Sequence, residues 1–369
     1  MGNTKQLQKL LDKRGTVHIP SGNYVISDTL IIYDNTHLIL DYDAVIRLAD
    51  GSDCVMLQNE LCGVGVNRRI TVEGGTWDGN NRAQTKGKPE GKPYFMGNLM
   101  RFIGIEDLRV CNLCVKDPER YAMQIMNADR FTVENITFDY NMLKNCMDGV
   151  HVQGTARNGY IRNIKGATND DLVALNCDDY HDNGEERTCS KGDIENITVD
   201  GVYADGGYTA IRLLSCGSRM RNINIRNVFG SYRCNGISFT HHNIFPGAPV
   251  WFDNIDISGV YCTKLPQEPT PEQKFVYGLD GIYGKGAYEK AIKKDPIIWF
   301  AKGVVCGNVS ISALHRDEYA VTEAPTIKID ENVKIEKLIL SGIDQRFHNC
   351  PEIPLICSSG EIGDMRADF

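Results

Sequence analysis

The segment FTVENITFDY at residues 131–140 decides the fold, because it returns as GDIENITVDG (192–201), MRNINIRNVF (220–229) and WFDNIDISGV (251–260). Weaker copies read LRVCNLCVKD (108–117), GYIRNIKGAT (159–168), CGNVSISALH (306–315) and KIEKLILSGI (334–343). Each copy alternates β-branched with other residues, which is the pattern of a strand. One short strand unit cannot bury its apolar face alone, whereas stacked units share a core. The repeat therefore predicts an all-β, right-handed parallel β-helix of about ten coils.

An asparagine precedes the alternating run in every copy except the last. These asparagines recur along the chain at intervals that suit the length of one coil. Asparagine tolerates the left-handed conformation of sharp turns, and stacked amides can hydrogen-bond from coil to coil. We therefore predict one asparagine ladder at equivalent turns, formed by Asn112, Asn135, Asn163, Asn196, Asn222, Asn254 and Asn308.

The two ends of the pattern and one interruption define the organisation of the chain. Residues 4–13 have an amphipathic helical pattern with Leu7, Leu10 and Leu11 on one side, which predicts a short helix that caps the open end of the coils. Residues 263–296 are rich in proline, glycine and charge, and strand patterns resume at Ile297. We interpret this stretch as an inserted loop within a single domain that spans residues 1–369.

Composition and charge exclude several classes of protein. The net charge of −8 is unfavourable for nucleic-acid binding, which needs clustered Lys and Arg. No apolar run approaches the roughly 20 residues of a membrane span, so we expect no membrane partner. The N-terminus has no apolar h-region, so we expect a cytoplasmic protein, or a secreted one whose signal has been removed. The sequence leaves the oligomeric state open.

Thirteen cysteines occur without a short repeated spacing, which favours free thiols in a reducing compartment. Cys111 and Cys114 lie in a strand pattern with no nearby histidine to complete four ligands. We interpret them as small apolar residues of the coil interior. We expect neither a metal ion nor another cofactor.

Two segments combine high acid density with strand-like surroundings. NCMDGVHVQG (145–154) contains Asp148 and His151, and TNDDLVALNCDDYHDN (168–183) contains the remaining acids and a histidine: Asp170, Asp171, Asp178, Asp179, His181 and Asp182. The interval from Asp148 to Asp170 is about one coil, so the two should lie side by side at about 4.8 Å. Carboxylates held that close do not all ionise near neutral pH, and an acid beside a base suits glycosidic cleavage.

A structural role is the alternative for these aspartates, because Asp-Asp pairs also cap backbone N–H groups at turns. An ideal strand would also point Asp170 and Asp171 to opposite faces. Both reach one cleft only if the backbone bends there. For Asp178, Asp179, His181 and Asp182, we favour a solvated loop over a cation site.

At these residues the chain resembles glycoside hydrolase family 28, the polygalacturonase family, of the pectate-lyase-like superfamily. CMD at 146–148 keeps the aspartate of the family's Asn-Thr-Asp motif, and NDDLVALN at 169–176 is similar to its Gly-Asp-Asp segment. GGTWDG (74–79) resembles its glycine-rich corner, and DPERYAMQIM (117–126) its Ser-Pro-aromatic coil. The resemblance covers residues 15–260 in pattern and is specific in the aspartate region.

The resemblance implies a catalytic group of three aspartates. Asp170 would protonate the glycosidic oxygen, while Asp148 and Asp171 would hold and deprotonate the attacking water, with inversion. The substrate would be an oligosaccharide or a polysaccharide. Candidate substrate-binding residues are His151, Asn176, Tyr208, Arg212, His241 and His242.

Two departures from the family pattern concern the substrate. The Gly-His-Gly position reads Gly206-Gly207-Tyr208, and the Arg-Ile-Lys position reads SFT at 238–240. The family associates that basic pair with the galacturonate carboxylate. Its absence argues against polygalacturonate, although Arg212 offers one replacement guanidinium. The loops at 178–193 and 263–296 suggest a closed cleft and cleavage from the end of the substrate.

Three other functions stay open on the same fold. A lyase or epimerase would use a Lys, Arg or His base, often with Ca²⁺. A carbohydrate-binding β-helix would bind without turnover. A transferase would pass the sugar to an acceptor other than water.

Overall fold

The computed structural model describes residues 2–85, 97–144, 146–178, 191–241, 251–265 and 294–368. These residues form one short α-helix, α1 (Thr4–Leu11), one 3₁₀ turn at Asn81–Ala83, and parallel strands. The first eight strands are β1 (Gly15–Ile19), β2 (Asn23–Ile26), β3 (Leu30–Ile32), β4 (Thr36–Leu40), β5 (Val45–Leu48), β6 (Leu57–Asn59), β7 (Asn67–Glu73) and β8 (Thr76–Asp78). Next come β9 (Met100–Lys116), β10 (Met123–Asp139), β11 (Val150–Lys165), β12 (Asp171–Asn176), β13 (Ile194–Gly207), β14 (Thr209–Leu214), β15 (Arg219–Tyr232) and β16 (Ile237–Thr240). The last are β17 (Trp251–Lys264), β18 (Ile298–Phe300), β19 (Val305–Glu318), β20 (Ile327–Ile329), β21 (Lys334–Phe347), β22 (Ile356–Ser358) and β23 (Glu361–Asp368).

The strands stack on three faces of a right-handed parallel β-helix, as predicted. The first face contains β3, β6, the starts of β9, β10 and β11, and then β12, β14, β16, β18, β20 and β22. The second face is a continuous stack of twelve of the described strands, from β1 to β23. The third face begins with β2, β5 and β8 and continues in the ends of the long strands.

Side chains from all three faces meet in one continuous core. On the second face the register aligns Ile197, Ile223, Ile255, Val309 and Leu338, and each of them is buried. This column shows why the repeat folds as it does, because alternate residues of each strand point inward and stack on their equivalents in neighbouring coils.

The helix α1 closes one end of this core, as the amphipathic pattern predicted. Leu7 and Leu11 are buried, and Leu10 packs partly against the same cluster. Asn3, just before the helix, joins it to the first coil, since the backbone N–H of Val25 donates to Asn3 Oδ1 at 2.9 Å.

The predicted asparagine ladder exists, but it is divided between two corners of the coil. Asn135 and Asn163 extend one ladder from Asn112, with amide contacts of 2.8 and 2.9 Å. A second ladder, with contacts of 2.9 to 3.3 Å, links Asn158, Asn196, Asn222, Asn254 and Asn308. The prediction that Asn163 and Asn196 are successive members of one ladder is therefore wrong.

The reason is that one local motif serves two corners. ENIT occurs at 134–137 and at 195–198. Asn135 marks the corner between the second and third faces, whereas Asn196 marks the corner that precedes the core of the second face. Both have positive φ angles, 56° and 57°, so asparagine meets the same backbone requirement at either place. The position after Asn163 in its own ladder is Gly201, with φ 79°.

Two further expectations need correction. Thr263 and Lys264 belong to β17, so the insertion begins later than residue 263; residues 266–293 lie outside the described part of the chain. Cys111 and Cys114 are not in the coil interior. They align with Glu134 and Thr137 on the outward side of the strands, and Cys111 is nevertheless buried. No helix among the described residues is long and apolar enough to cross a membrane.

The second ladder gives a stability prediction at Asn222, which contacts Asn196 and Asn254. Asn222→Gly should lower the free energy of unfolding by about 1 kcal/mol, because it removes the amide contacts but tolerates φ 56°. Asn222→Ala should cost about 1–2 kcal/mol more, because it adds left-handed strain. Urea denaturation measures both values. Asn308→Ala is the control, since Asn308 ends the ladder without a positive φ; an equal loss there would contradict this account.

Candidate active site

Asp148 and Asp171 form the centre of the acid cluster, on adjacent coils at the start of the first face. Val150 aligns with Val173, and the backbone N–H of Gly149 donates to the Asp171 carbonyl at 2.9 Å. Both aspartates are buried. The coil neighbour of Asp148 is thus Asp171 rather than Asp170, one position further along the chain than the sequence spacing indicated.

Asp170 lies in a bend immediately before β12, and Asp171 is the first residue of that strand. The bend allows the carboxyl groups of two consecutive residues to lie on the same side of the chain. The sequence required such a bend if both were to reach one cleft. The Thr168 hydroxyl donates to the Asp170 carbonyl at 2.8 Å, and Asp170 Oδ1 accepts the Asp171 N–H at 3.1 Å. Asp170 is partly exposed while Asp171 is buried.

A buried arginine, Arg233, stabilises this bend through hydrogen bonds. Arg233 Nη2 donates to the Thr168 carbonyl at 3.2 Å and to Asn169 Oδ1 at 3.0 Å. The Asn169 amide also donates to the Lys144 carbonyl at 2.6 Å. Asn169, which stands where the family has glycine, therefore clamps the bend between two other segments.

The surroundings of the carboxyl groups shift their pKa values by different amounts. Burial raises the pKa of Asp170 well above its ordinary value, and the charges of Asp148 and Asp171 raise it further. Burial also raises the pKa of Asp171, to about 7, although the Arg212 guanidinium acts against this rise. Crowded, desolvated carboxyl groups favour protonation, so this site retains a proton near neutral pH.

Arg212 is directed towards the acids. Its Nη1 lies 3.5 Å from Asp171 Oδ2, and its Nε donates to Thr240 Oγ1 at 2.9 Å. Its side chain keeps 24% of its surface exposed, so it lies at the edge of the cluster. The structure thus places Arg212 against a catalytic candidate, whereas the sequence left it as a replacement for the lost basic pair.

His151 and Asn176 lie beneath the surface of the first face. His151 Nδ1 is 2.5 Å from Asp148 Oδ2, and its Nε2 is 3.3 Å from Asn176 Nδ2. Each of these two residues is only 1% exposed. His151 contacts the acid cluster, and Asn176 contacts His151, so both support the cluster.

The remaining candidates are less central. Tyr208 is half-buried on the coil after Asp170, with the Arg233 guanidinium 5.3 Å from its ring centroid. His241 Nε2 lies 2.6 Å from the Lys302 carbonyl oxygen, which can only accept, so this nitrogen carries a hydrogen. His242 lies outside the described residues.

Asp178 has a structural role. Its carboxylate accepts the backbone N–H groups of Cys216 and Ser218 at 3.0 and 2.8 Å, and the Ser218 hydroxyl at 2.6 Å. Asp179, His181 and Asp182 lie outside the described residues. Within the described ranges, no three His, Cys, Asp or Glu side chains are grouped to hold a metal ion.

Sequence reasoning missed two residues of the site. Tyr121 stacks on His151, with ring centroids 3.8 Å apart and planes 9° apart; its signal was the Pro-aromatic segment at 117–126. Arg233 had no signal, because its contact with Asn169 joins parts of the chain that are far apart in sequence.

The right-handed parallel β-helix thus brings three aspartates together on adjacent coils of one face. Residues 46–193 match the model of "Glycosyl hydrolases family 28". This segment contains Asp148, Asp170 and Asp171, so the resemblance to family 28 is confirmed. The chain is a glycoside hydrolase that acts on carbohydrate.

Solved structures support the fold. The polygalacturonase of Erwinia carotovora subsp. carotovora has a TM-score of 0.58 and 12% identity, over 97% of this chain and 94% of that chain. The exopolygalacturonase of Thermotoga maritima has a TM-score of 0.56 and 10% identity, over 99% and 86%. PfbA, a surface adhesin of Streptococcus pneumoniae, has a TM-score of 0.55 and 14% identity, over 98% and 88%. No curated protein matches the chain significantly.

The raised pKa of Asp170 predicts a pH-dependent stability. Below about pH 4 this carboxyl is protonated in both the folded and the unfolded chain. As the pH rises, the unfolded chain ionises first, so the free energy of unfolding falls until the pH reaches the raised folded-state pKa. Asp170→Asn should therefore melt at a higher temperature than the wild type at pH 8, with the difference shrinking towards pH 4.

Thermal melts at pH 4, 6 and 8 measure this effect. Asp344→Asn, at an exposed aspartate far along the chain, is the matched control and should show no such trend. A destabilised Asp170→Asn at pH 8 would contradict the assignment of a desolvated, protonated carboxyl.

Proposed function

We propose that the protein is an inverting, exo-acting glycoside hydrolase for short oligosaccharides that are neutral or charged differently from polygalacturonate. The observation that carries the proposal is the electrostatic separation of three neighbouring carboxyl groups. The pKa of Asp170 is raised well above its ordinary value, whereas Arg212 opposes the rise at Asp171 and His151 faces Asp148.

Asp170 has the properties of the general acid. It keeps its proton because burial and two carboxylates oppose its ionisation. It is also the partly exposed member of the group, so a substrate oxygen can reach it. A carboxylic acid of raised pKa is what protonation of a leaving glycosidic oxygen requires.

Asp148 and Asp171 have the properties of the base. Arg212 favours the ionised form of Asp171 against the effect of burial, and His151 faces Asp148 at 2.5 Å. An ionised carboxylate in this position can orient and deprotonate water. The water oxygen then forms the new bond to the anomeric carbon as the glycosidic bond breaks. The electron pair of the breaking bond stays on the glycosidic oxygen, which Asp170 protonates.

The side chains on the coils that follow Asp171 argue against a galacturonate polymer as the substrate. Arg212 aligns with Ser238, and Leu214 aligns with Thr240, where the family pattern has its basic pair. Arg212 itself is engaged with Asp171 and Thr240. A uronate carboxylate would therefore meet hydroxyl groups and an arginine that already faces a carboxylate.

The proposal of exo action rests on two long connections in the sequence, residues 179–190 and 266–293, which lie outside the described residues. β17 ends at Lys264 and β18 begins at Ile298, so the connecting residues return the chain to the face that carries the acids. The segment between Asp178 and Lys191 leaves β12, the strand of Asp171. The length of these two connections supports exo action, because long connections between strands often carry function.

The test of the function is a screen of the purified protein on neutral and acidic oligosaccharides, aryl glycosides and polygalacturonate. We expect hydrolysis of a neutral or differently charged substrate, and little release of reducing ends from polygalacturonate. Asp170→Asn, Asp148→Asn and Asp171→Asn should each lower kcat by about 10²–10⁴-fold, the usual contribution of general acid–base catalysis. Asp344→Asn should keep wild-type turnover.

Near-wild-type turnover in all three variants would refute the assignment, and robust cleavage of polygalacturonate would refute the substrate. Release of an unsaturated, ultraviolet-absorbing product in a chelator-sensitive reaction would identify a lyase instead.

Product analysis over time tests the mode of action. An exo-acting enzyme releases one product size from the first minutes, because the closed cleft admits only the end of the substrate. Chromatography of the products of a labelled hexasaccharide, under conditions of less than a tenth conversion, measures this. An early ladder of intermediate lengths would show internal cleavage.

A further inference from the structure

The histidine of the family's Gly-His-Gly motif is missing here, but the structure supplies an imidazole from another coil. His151 is buried on the first face, in β11, and Asp148 lies just before the start of this strand. Its Nδ1 lies 2.5 Å from Asp148 Oδ2. A carboxylate oxygen can only accept, so the facing ring nitrogen must carry a hydrogen and donate it.

The ring is held on three sides. Tyr121 covers one face, with centroids 3.8 Å apart and planes 9° apart. Arg120 Nη2 donates to the Tyr121 hydroxyl at 2.8 Å and its guanidinium lies 4.4 Å from the Tyr121 ring centroid, so the covering ring is itself fixed. Asn176 contacts Nε2 at 3.3 Å. Such support fixes the orientation of the imidazole, as partner groups do for other functional histidines.

The two carboxylates proposed as the base are thus supported in parallel ways. Asp171 faces Arg212 at 3.5 Å, and Asp148 faces His151. In the register, His151 aligns with Ala174, which aligns with Arg212.

We propose that His151 is the positioning residue of Asp148. The imidazole donates its Nδ1 hydrogen to Oδ2 of Asp148 and fixes that carboxylate, so that its other oxygen can accept the proton of the attacking water. The proposal rests on the hydrolase function proposed above. It assigns to His151 a role other than the substrate binding expected from the sequence.

Two substitutions separate this role from packing. His151→Asn places an amide N–H close to the position of Nδ1, whereas His151→Leu keeps volume but removes the donor. We expect kcat to fall by about 10²-fold in His151→Leu, with KM changed less than about twofold, since a loosened catalytic group costs about this much. His151→Asn should recover at least a tenth of the wild-type kcat.

The matched control is His37→Asn. His37 also pairs with a carboxylate, Glu73 at 2.9 Å, but on the second face and away from the acids, so its loss should leave kcat unchanged. If His151→Leu keeps wild-type kcat, or if His151→Asn and His151→Leu lose activity equally, the positioning role is overturned.

A second readout needs no substrate. Long-range ¹H–¹⁵N spectra of the wild type should show a low-field proton on Nδ1 of His151, assigned by its absence in His151→Asn. Asp148→Asn should move this signal upfield, because the acceptor loses its charge. An Nδ1 without hydrogen, or a signal that Asp148→Asn leaves unchanged, would overturn the pair even if the protein is an active hydrolase. If the spectra show the pair but no glycan is cleaved, the proposed function fails instead.

Discussion

The backbone hydrogen bonds between parallel strands of neighbouring coils determine everything else in this structure. They hold equivalent residues at about 4.8 Å, so the register alone decides which side chains are neighbours. The column of Ile197, Ile223 and Ile255 in the core and the buried pair of Asp148 and Asp171 arise from the same constraint. A shift of one residue in either place would exchange the inward and outward sides of the strand.

The sequence predicted what depends on local pattern, but not what depends on register between distant segments. Alternating strands, the N-terminal helix and the left-handed asparagines are local properties, and each is present. The division of the asparagines between two corners requires knowing that Asn196 aligns with Asn158, which lies much earlier in the chain. The sequence spacing of the aspartates likewise indicated the correct coil but the wrong partner, because Asp171 rather than Asp170 aligns with Asp148.

The site is supported by further buried charges, which extend away from the acids. The buried Lys264 donates through Nζ to the carbonyls of Arg233 and Cys234, and burial lowers the pKa of this lysine to about 8. Glu318 accepts the backbone N–H of Lys264 at 3.1 Å and pairs with Arg316 at 2.8 Å. Loss of one partner in such a network leaves a buried charge uncompensated, which is more costly than loss of an exposed ion pair. The bend before Asp171, which Arg233 holds, is thus connected to coils beyond those that carry the acid cluster.

The use of ENIT at two corners has a consequence for grafting coils between proteins of this architecture. A chimaera designed by superposing the asparagine of one repeat on that of the next would treat Asn163 and Asn196 as equivalent. The true partner of Asn196 in the preceding coil is Asn158, which comes earlier in the chain than Asn163 by an odd number of positions. The transplanted coil would therefore be displaced by one corner, and its second-face strand would be aligned with the third face of the neighbouring coil. Junctions chosen from backbone corners rather than from the repeated motif avoid this error.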